Sequence, residues 1–311
     1  MAISGSFDLN STATELINEA LERIGRRDLM QTTPAEVSET CKRTFNYMIK
    51  HWQTRDVGLW LLEDVALFLE SGGTSYDIWG SGDHATTSFV KTEVSTAASS
   101  GDSTIDVDSI TGISSGDNIG VELDDGTLQW TTVNGAPAGS TITLTASLTD
   151  DVSVDAHVYT YTTKAQKPLE ILEARLYLSS DTEYPISIIP REIYKNLSDK
   201  DSTGKCVELY PDARIDRMTV YTWPACDDVK DYIKLSVKRR IDDIDDISDN
   251  VAFPAEWLLT LSTNLARWLL TKFSVPAEKA ALVKMDADET FRDLMMFDRE
   301  GTSFTVEPVN R

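Results

Sequence analysis

Five aspartates crowd into eight positions: Asp242, Asp243, Asp245, Asp246 and Asp249. Carboxylate oxygens at such density are what a hard cation such as calcium takes as ligands. The run reads I-D-D-I-D-D-I-S-D-N, and it lacks the central glycine and distal glutamate of a helix-loop-helix calcium site. It stands directly before a helix start at Pro254, where negative charge is favoured by the helix dipole. A solvated acidic loop is the expectation. The three histidines, His51, His84 and His157, fall in a helix, a loop and a strand, far apart in sequence. No H-E-x-x-H, G-x-S-x-G or phosphate-loop spacing occurs. The three cysteines, Cys41, Cys206 and Cys226, form no C-x-x-C pair and suit no disulfide framework. Cys41 sits on an apolar helical stripe and reads as a buried thiol. Lys238, Arg239 and Arg240 are the one basic cluster, and the acidic run beside them compensates it. The tryptophans fall on core-like stripes instead of alternating with basic residues as a base-stacking platform would. The residues therefore predict no catalytic, cofactor-binding or metal site, and a protein that is not an enzyme.

The 311 residues carry 51 Asp and Glu against 29 Lys and Arg, a formal charge of -22. Such a chain repels nucleic acid and anionic membranes. The chain's Met1–Gly5 start has no basic segment followed by an apolar core, so no signal peptide is expected. No apolar run approaches the ~20 residues of a membrane span.

Helical periods bracket the chain. Thr12 and Glu15 form a capping-box pattern ahead of Leu16, Ile17, Ala20, Leu21 and Ile24, and Gly25 closes the segment. Thr33 and Pro34 are read as N-cap and first turn of a second helix with the stripe Val37, Cys41, Phe45, Met48 and Trp52. Val65–Glu70, Gly72-Gly73 and Ser75–Trp79 read as strand, turn, strand. Between residues 86 and 163 there are eleven acidic residues and one basic one, Lys91. Ser, Thr, Gly and Asp dominate there, and short apolar alternations recur around Ile105, Val121, Leu128, Ile142 and Val158. Asp124-Asp125-Gly126 marks a hairpin turn. This stretch is read as an inserted all-β sandwich or barrel. Strands are expected over residues 169–178, 184–189, 205–210, 217–223 and 232–240, with a short helix from Pro190. Pro254 and Pro276 then open two long helices, the second with Ala280, Ala287, Phe291 and Leu294 inward. The predicted fold class is α+β: a helical bundle with a mixed β subdomain and an inserted β domain. The expected boundaries are 1–85 with 164–311 for the core, 86–163 for the insert, and 301–311 for an extended tail.

Four segments resemble a known family. They are Ala13–Ile17 with its Leu21-Ile24-Gly25 end, Tyr221–Pro224, Phe253–Trp257, and Phe297–Glu300. In these the chain resembles the head-to-tail connector proteins (adaptors, or tail accessory factors) of short-tailed bacteriophages. The stretch Leu123–Val133 also resembles an insert common among them. The resemblance implies a virion component assembled in the bacterial cytoplasm. It implies a ring, typically dodecameric, that binds the portal protein and the tail nozzle protein and passes DNA through its lumen without specific binding. No cofactor and no membrane are implied. The alternating tail, with Phe304, Val306, Pro308, Val309 and Arg311, is the expected contact with portal or neighbouring subunit. The alternative function is a tail-associated peptidoglycan hydrolase. A third reading has the insert bind a carbohydrate or a fibre protein.

Overall fold

A computed structural model of the chain describes residues 9–28, 32–54, 58–180 and 182–297. The α-helices are α1 (Ala13–Arg23), α2 (Ala35–Gln53), α3 (Arg191–Asn196), α4 (Leu258–Leu269) and α5 (Ala277–Phe297). The first strands are β1 (Leu62–Phe68), β2 (Ser75–Ile78), β3 (Ala85–Thr86), β4 (Val90–Thr96), β5 (Thr104–Val107), β6 (Asn118–Glu122), β7 (Leu128–Thr132) and β8 (Thr141–Thr143). They are followed by β9 (His157–Tyr161), β10 (Glu170–Tyr177), β11 (Glu183–Ile188), β12 (Thr203–Gly204), β13 (Glu208–Ala213), β14 (Met218–Trp223), β15 (Ala225–Cys226) and β16 (Tyr232–Lys238).

The expected fold class is corrected. The described chain is mostly β, with sixteen strands in two large sheets and a two-stranded ribbon against five α-helices. It is not a helical bundle carrying an inserted β domain. The helices dominate the sequence pattern because each repeats its apolar stripe over many residues. A strand of two to eight residues leaves a far weaker trace. Two compact units divide the chain: residues 1–61 with 241–311, and residues 62–240.

In the first unit, Ala13, Leu16, Ile17 and Leu21 of α1 share a core with Phe45, Met48 and Trp52 of α2 and Leu261, Leu265 and Leu269 of α4. The α1 start is held from afar. The amides of Ala13 and Thr14 donate to the carbonyls of Asp249 (3.0 Å) and Ile247 (2.8 Å). The capping box forms: the Glu15 amide donates to Thr12 Oγ1, and the Thr12 amide donates to Glu15 Oε2. At α2 the reading differs. Pro34 is the N-cap residue and no side chain caps the helix, because the Thr33 hydroxyl donates instead to Asn18 Oδ1 at 2.9 Å. Trp52 packs against Trp257 and Phe291, with ring centroids 5.9 and 5.2 Å away.

The second unit holds an eight-stranded sheet, ordered β2-β14-β13-β11-β10-β16-β1-β3. It also holds a six-stranded sheet, ordered β7-β6-β9-β4-β5-β8. The strand, turn and strand expected around Gly72-Gly73 are present, but the two strands do not pair with each other: β1 pairs with β16 and β3, while β2 pairs with β14. The Gly72 amide donates to the Cys226 carbonyl, so the turn is a corner between distant partners. By contrast β6 and β7 pair across Asp124–Gly126, with Gly126 at the positive φ (80°) the turn requires. Alternation gives β1, β10 and β16 two faces. Val65, Leu67, Leu176, Ile233 and Leu235 line the buried core. Phe68, Tyr177, Tyr232 and Lys234 face the other way. There Phe68 meets Leu128, Tyr159 and Tyr161 of the six-stranded sheet in a second, aromatic cluster.

Candidate functional site

The outer face of β1, β10 and β16 is open beside that aromatic cluster. Asp64, Ala66, Thr87, Ser88, Phe89, Tyr177, Tyr232 and Lys234 line a groove of about 380 Å³. Strand register builds it. Tyr177 stands opposite Tyr232, Arg175 opposite Lys234, and Ala66 opposite Lys234 on the other side. The two tyrosine rings stack, 5.3 Å apart at 14°, a cross-strand pairing that stabilises the sheet itself. Phe89 meets Tyr232 edge-on at 5.3 Å and 75°.

Charges in the groove are balanced. Lys234 Nζ lies 2.9 Å from Asp64 Oδ2 and 5.8 Å from the Tyr177 ring centroid. The Ser236 hydroxyl donates to the other Asp64 oxygen at 2.9 Å. The lysine bond holds Asp64 below the usual carboxylate range, and the same bond raises Lys234. Beside it, Arg175 Nη1 lies 3.1 Å from Glu183 Oε1. A hydrogen bond from the Tyr177 hydroxyl lowers Glu183 and raises Tyr177. These groups are fixed donors and acceptors with their protonation states locked at neutral pH.

Burial raises two other carboxylates. Glu63 is countered by Arg239. Asp231, raised mainly by burial, accepts the Ser179 amide at 3.0 Å and so ties the end of β10 to the start of β16.

The three histidines are not brought together. His51 is exposed near Trp268, at 5.7 Å between ring centroids. His157 Nδ1 lies 3.6 Å from Glu93, and burial lowers it. His84 stacks on Trp130 and shares a 2.6 Å hydrogen bond with the Tyr161 hydroxyl. Burial drives it down to about 3, with Lys164 adding to the effect, so it stays neutral. The cysteines are buried free thiols. Burial pushes Cys41 up to about 11 and Cys206 and Cys226 to about 12.

The acidic run lines a small depression with Ile49 and Phe253. Helix α2 contacts it twice: Lys50 Nζ lies 2.5 Å from Asp243, and Lys42 donates to the Asp245 backbone carbonyl at 3.1 Å. Asp246 accepts the Ser248 amide and hydroxyl, an Asx turn. No group of three or more His, Cys, Asp or Glu able to hold a metal occurs among the described residues. No described helix is long and apolar enough to cross a membrane. The expected interface residues Phe304, Val306, Pro308, Val309 and Arg311 lie outside the described residues.

Sequence spacing alone missed the groove, because its residues come from β1, the 87–89 loop, β10 and β16. One local signal was present: Tyr232 and Lys234 are two apart and therefore share a strand face.

No family model and no curated protein matches the chain. Among solved structures, the Gp54 tailspike of Acinetobacter baumannii bacteriophage AP22 in complex with A. baumannii capsular saccharide is similar over 24% of this chain and 14% of that one, at 16% identity and a TM-score of 0.21.

Proposed function

We propose that the chain is a structural head-to-tail adaptor of a short-tailed bacteriophage. In this reading its copies form a ring beneath the portal, extend the DNA channel and join the portal to the tail nozzle. The resemblance in Ala13–Ile17 and Phe253–Trp257 falls on supporting positions of one helical unit. The former begins the strapped and capped α1, and in the latter Phe253 and Trp257 pack on Trp60 and Trp52.

The observation that carries the proposal is the two-sidedness of α5. Val283 and Leu294 face the core, while Leu282, Met285 and Met296 on the other face are 62 to 68% exposed. A single exposed apolar side chain needs no explanation, but three turned away from the core on one helix suit a contact surface. A second copy in a ring is the occupant that the adaptor reading supplies.

Imaging the purified protein with and without the portal of the same phage tests this. A ring of copies on the portal is the expected result. Cleavage of purified peptidoglycan together with no portal binding would replace the adaptor reading with the hydrolase alternative.

A further inference from the structure

We propose that the groove floored by Tyr177 and Tyr232 is a binding subsite for a neutral saccharide. This inference is independent of the adaptor reading. The groove volume, about 380 Å³, lies near the lower end of the ~300–1,000 Å³ typical of small-molecule sites. Its walls combine the two surfaces that a sugar ring requires. Apolar ring C–H groups need an aromatic platform, which Phe89, Tyr177 and Tyr232 provide, all half-buried and held by mutual stacking. Sugar hydroxyls each donate and accept, so they need both kinds of partner close by. Asp64 accepts, Lys234 donates, and the Thr87 and Ser88 side chains do both.

Charge selects among possible ligands. The chain as a whole stands at -22, yet here the two cations and the two carboxylates pair off, Lys234 with Asp64 and Arg175 with Glu183. A cationic or anionic ligand would have to break one of these pairs. A neutral polyol adds hydrogen bonds to groups already fixed in place, which lowers the ordering cost of binding. An extended peptide fits less well. The tyrosine floor consists of side chains from β10 and β16, each paired on both sides, so there it offers no strand edge along which to lie.

The test is a titration of the isotope-labelled full-length protein with N-acetylglucosamine trimer, maltotriose and mannotriose, each to about 10 mM, read by amide chemical shifts. At least one sugar is expected to shift the amides of residues 175–177 and 232–234 in a saturable manner. Tyr177→Ala should weaken that affinity roughly tenfold or more. Tyr177→Phe, which keeps the platform and loses the bond to Glu183, should weaken it less. Tyr184→Ala, an exposed tyrosine that does not line the groove, should leave it unchanged. The amide spectra of the variants report folding directly. No shift with any of the three sugars would overturn the proposal. So would shifts that persist unaltered in Tyr177→Ala, or a protein partner found in the groove in place of sugar.

Discussion

The imidazole of His84 lies parallel to the indole of Trp130, with ring centroids 3.8 Å apart and planes at 4°. Only a neutral imidazole is comfortable there, since burial holds its pKa near 3 against about 6.5 in an unfolded chain. Between those values the unfolded chain takes up a proton that the folded chain refuses. This contribution to stability is therefore present above about pH 6.5 and lost as pH falls toward about 3. His84→Phe keeps an aromatic ring on Trp130 but loses the Tyr161 bond. At pH 7 the variant should be less stable by about 1 kcal/mol. At pH 4 the gap should shrink or reverse. Denaturant melts at the two pH values measure it, and an equal gap at both would show that His84 does not titrate as described.

Trp130 is placed from below by a residue with no side chain. Gly120 pairs with it across β6 and β7, and a Cβ at Gly120 would stand 2.9 Å from the indole ring. Gly120→Ala should cost about 1–3 kcal/mol through overpacking. It should also alter the near-ultraviolet tryptophan signal as the indole tilts from His84. An unchanged melting temperature would mean that the ring has room to move.

The start of α1 offers a second pH-dependent contact. Thr12→Ala should lose about 1 kcal/mol of stability in the helical unit. Bonds from the Thr12 amide and the Ser11 hydroxyl hold Glu15 below its ordinary value. The contribution of Glu15 is thus present above the usual carboxylate range and lost as pH falls through its lowered value. Glu15→Gln should flatten the wild-type acid slope between pH 5 and pH 3 (roughly the carboxylate window). Identical slopes in the two proteins would assign acid sensitivity to other carboxylates.

At a charge of -22 per copy, subunits repel one another and repel phosphate. The free protein should sediment as a monomer at low micromolar concentration. It should not retard duplex DNA in a gel at about 150 mM salt, where the Debye length is near 8 Å. A stable ring without portal, or a retarded duplex, would contradict this electrostatic account.

Legibility in the sequence followed the range of the interactions. The strands β5, β6, β7, β8 and β9 could be read because each alternates over neighbouring residues, and Asp124–Gly126 names its own turn. The capping box of Thr12 and Glu15 was legible for the same reason: its bonds span three residues. Gly72-Gly73 named its local turn but not the partners of β1 and β2, which are chosen by Ile233, Leu235 and Val220 far along the chain. Thr33 misled because a hydroxyl that suits a cap found Asn18 instead. The groove was the least legible. Asp64 and Lys234 meet only after β1 and β16 pair, and no spacing rule connects residues so distant.

The strap that fixes α1 also sets a timetable. The Thr14 hydroxyl bonds the Ile247 carbonyl across 233 positions of chain. At ~5–20 residues per second of synthesis, α1 waits roughly ten to fifty seconds for its anchor. During that interval every strand of the 62–240 unit emerges and can complete its sheets, while the apolar stripes of α1 and α2 lack α4. The α1–α2 segment, made before the β unit, thus becomes native after it. A nascent chain paused once residue 240 has cleared the ribosome should carry a protease-resistant β unit and a protease-sensitive α1–α2 segment.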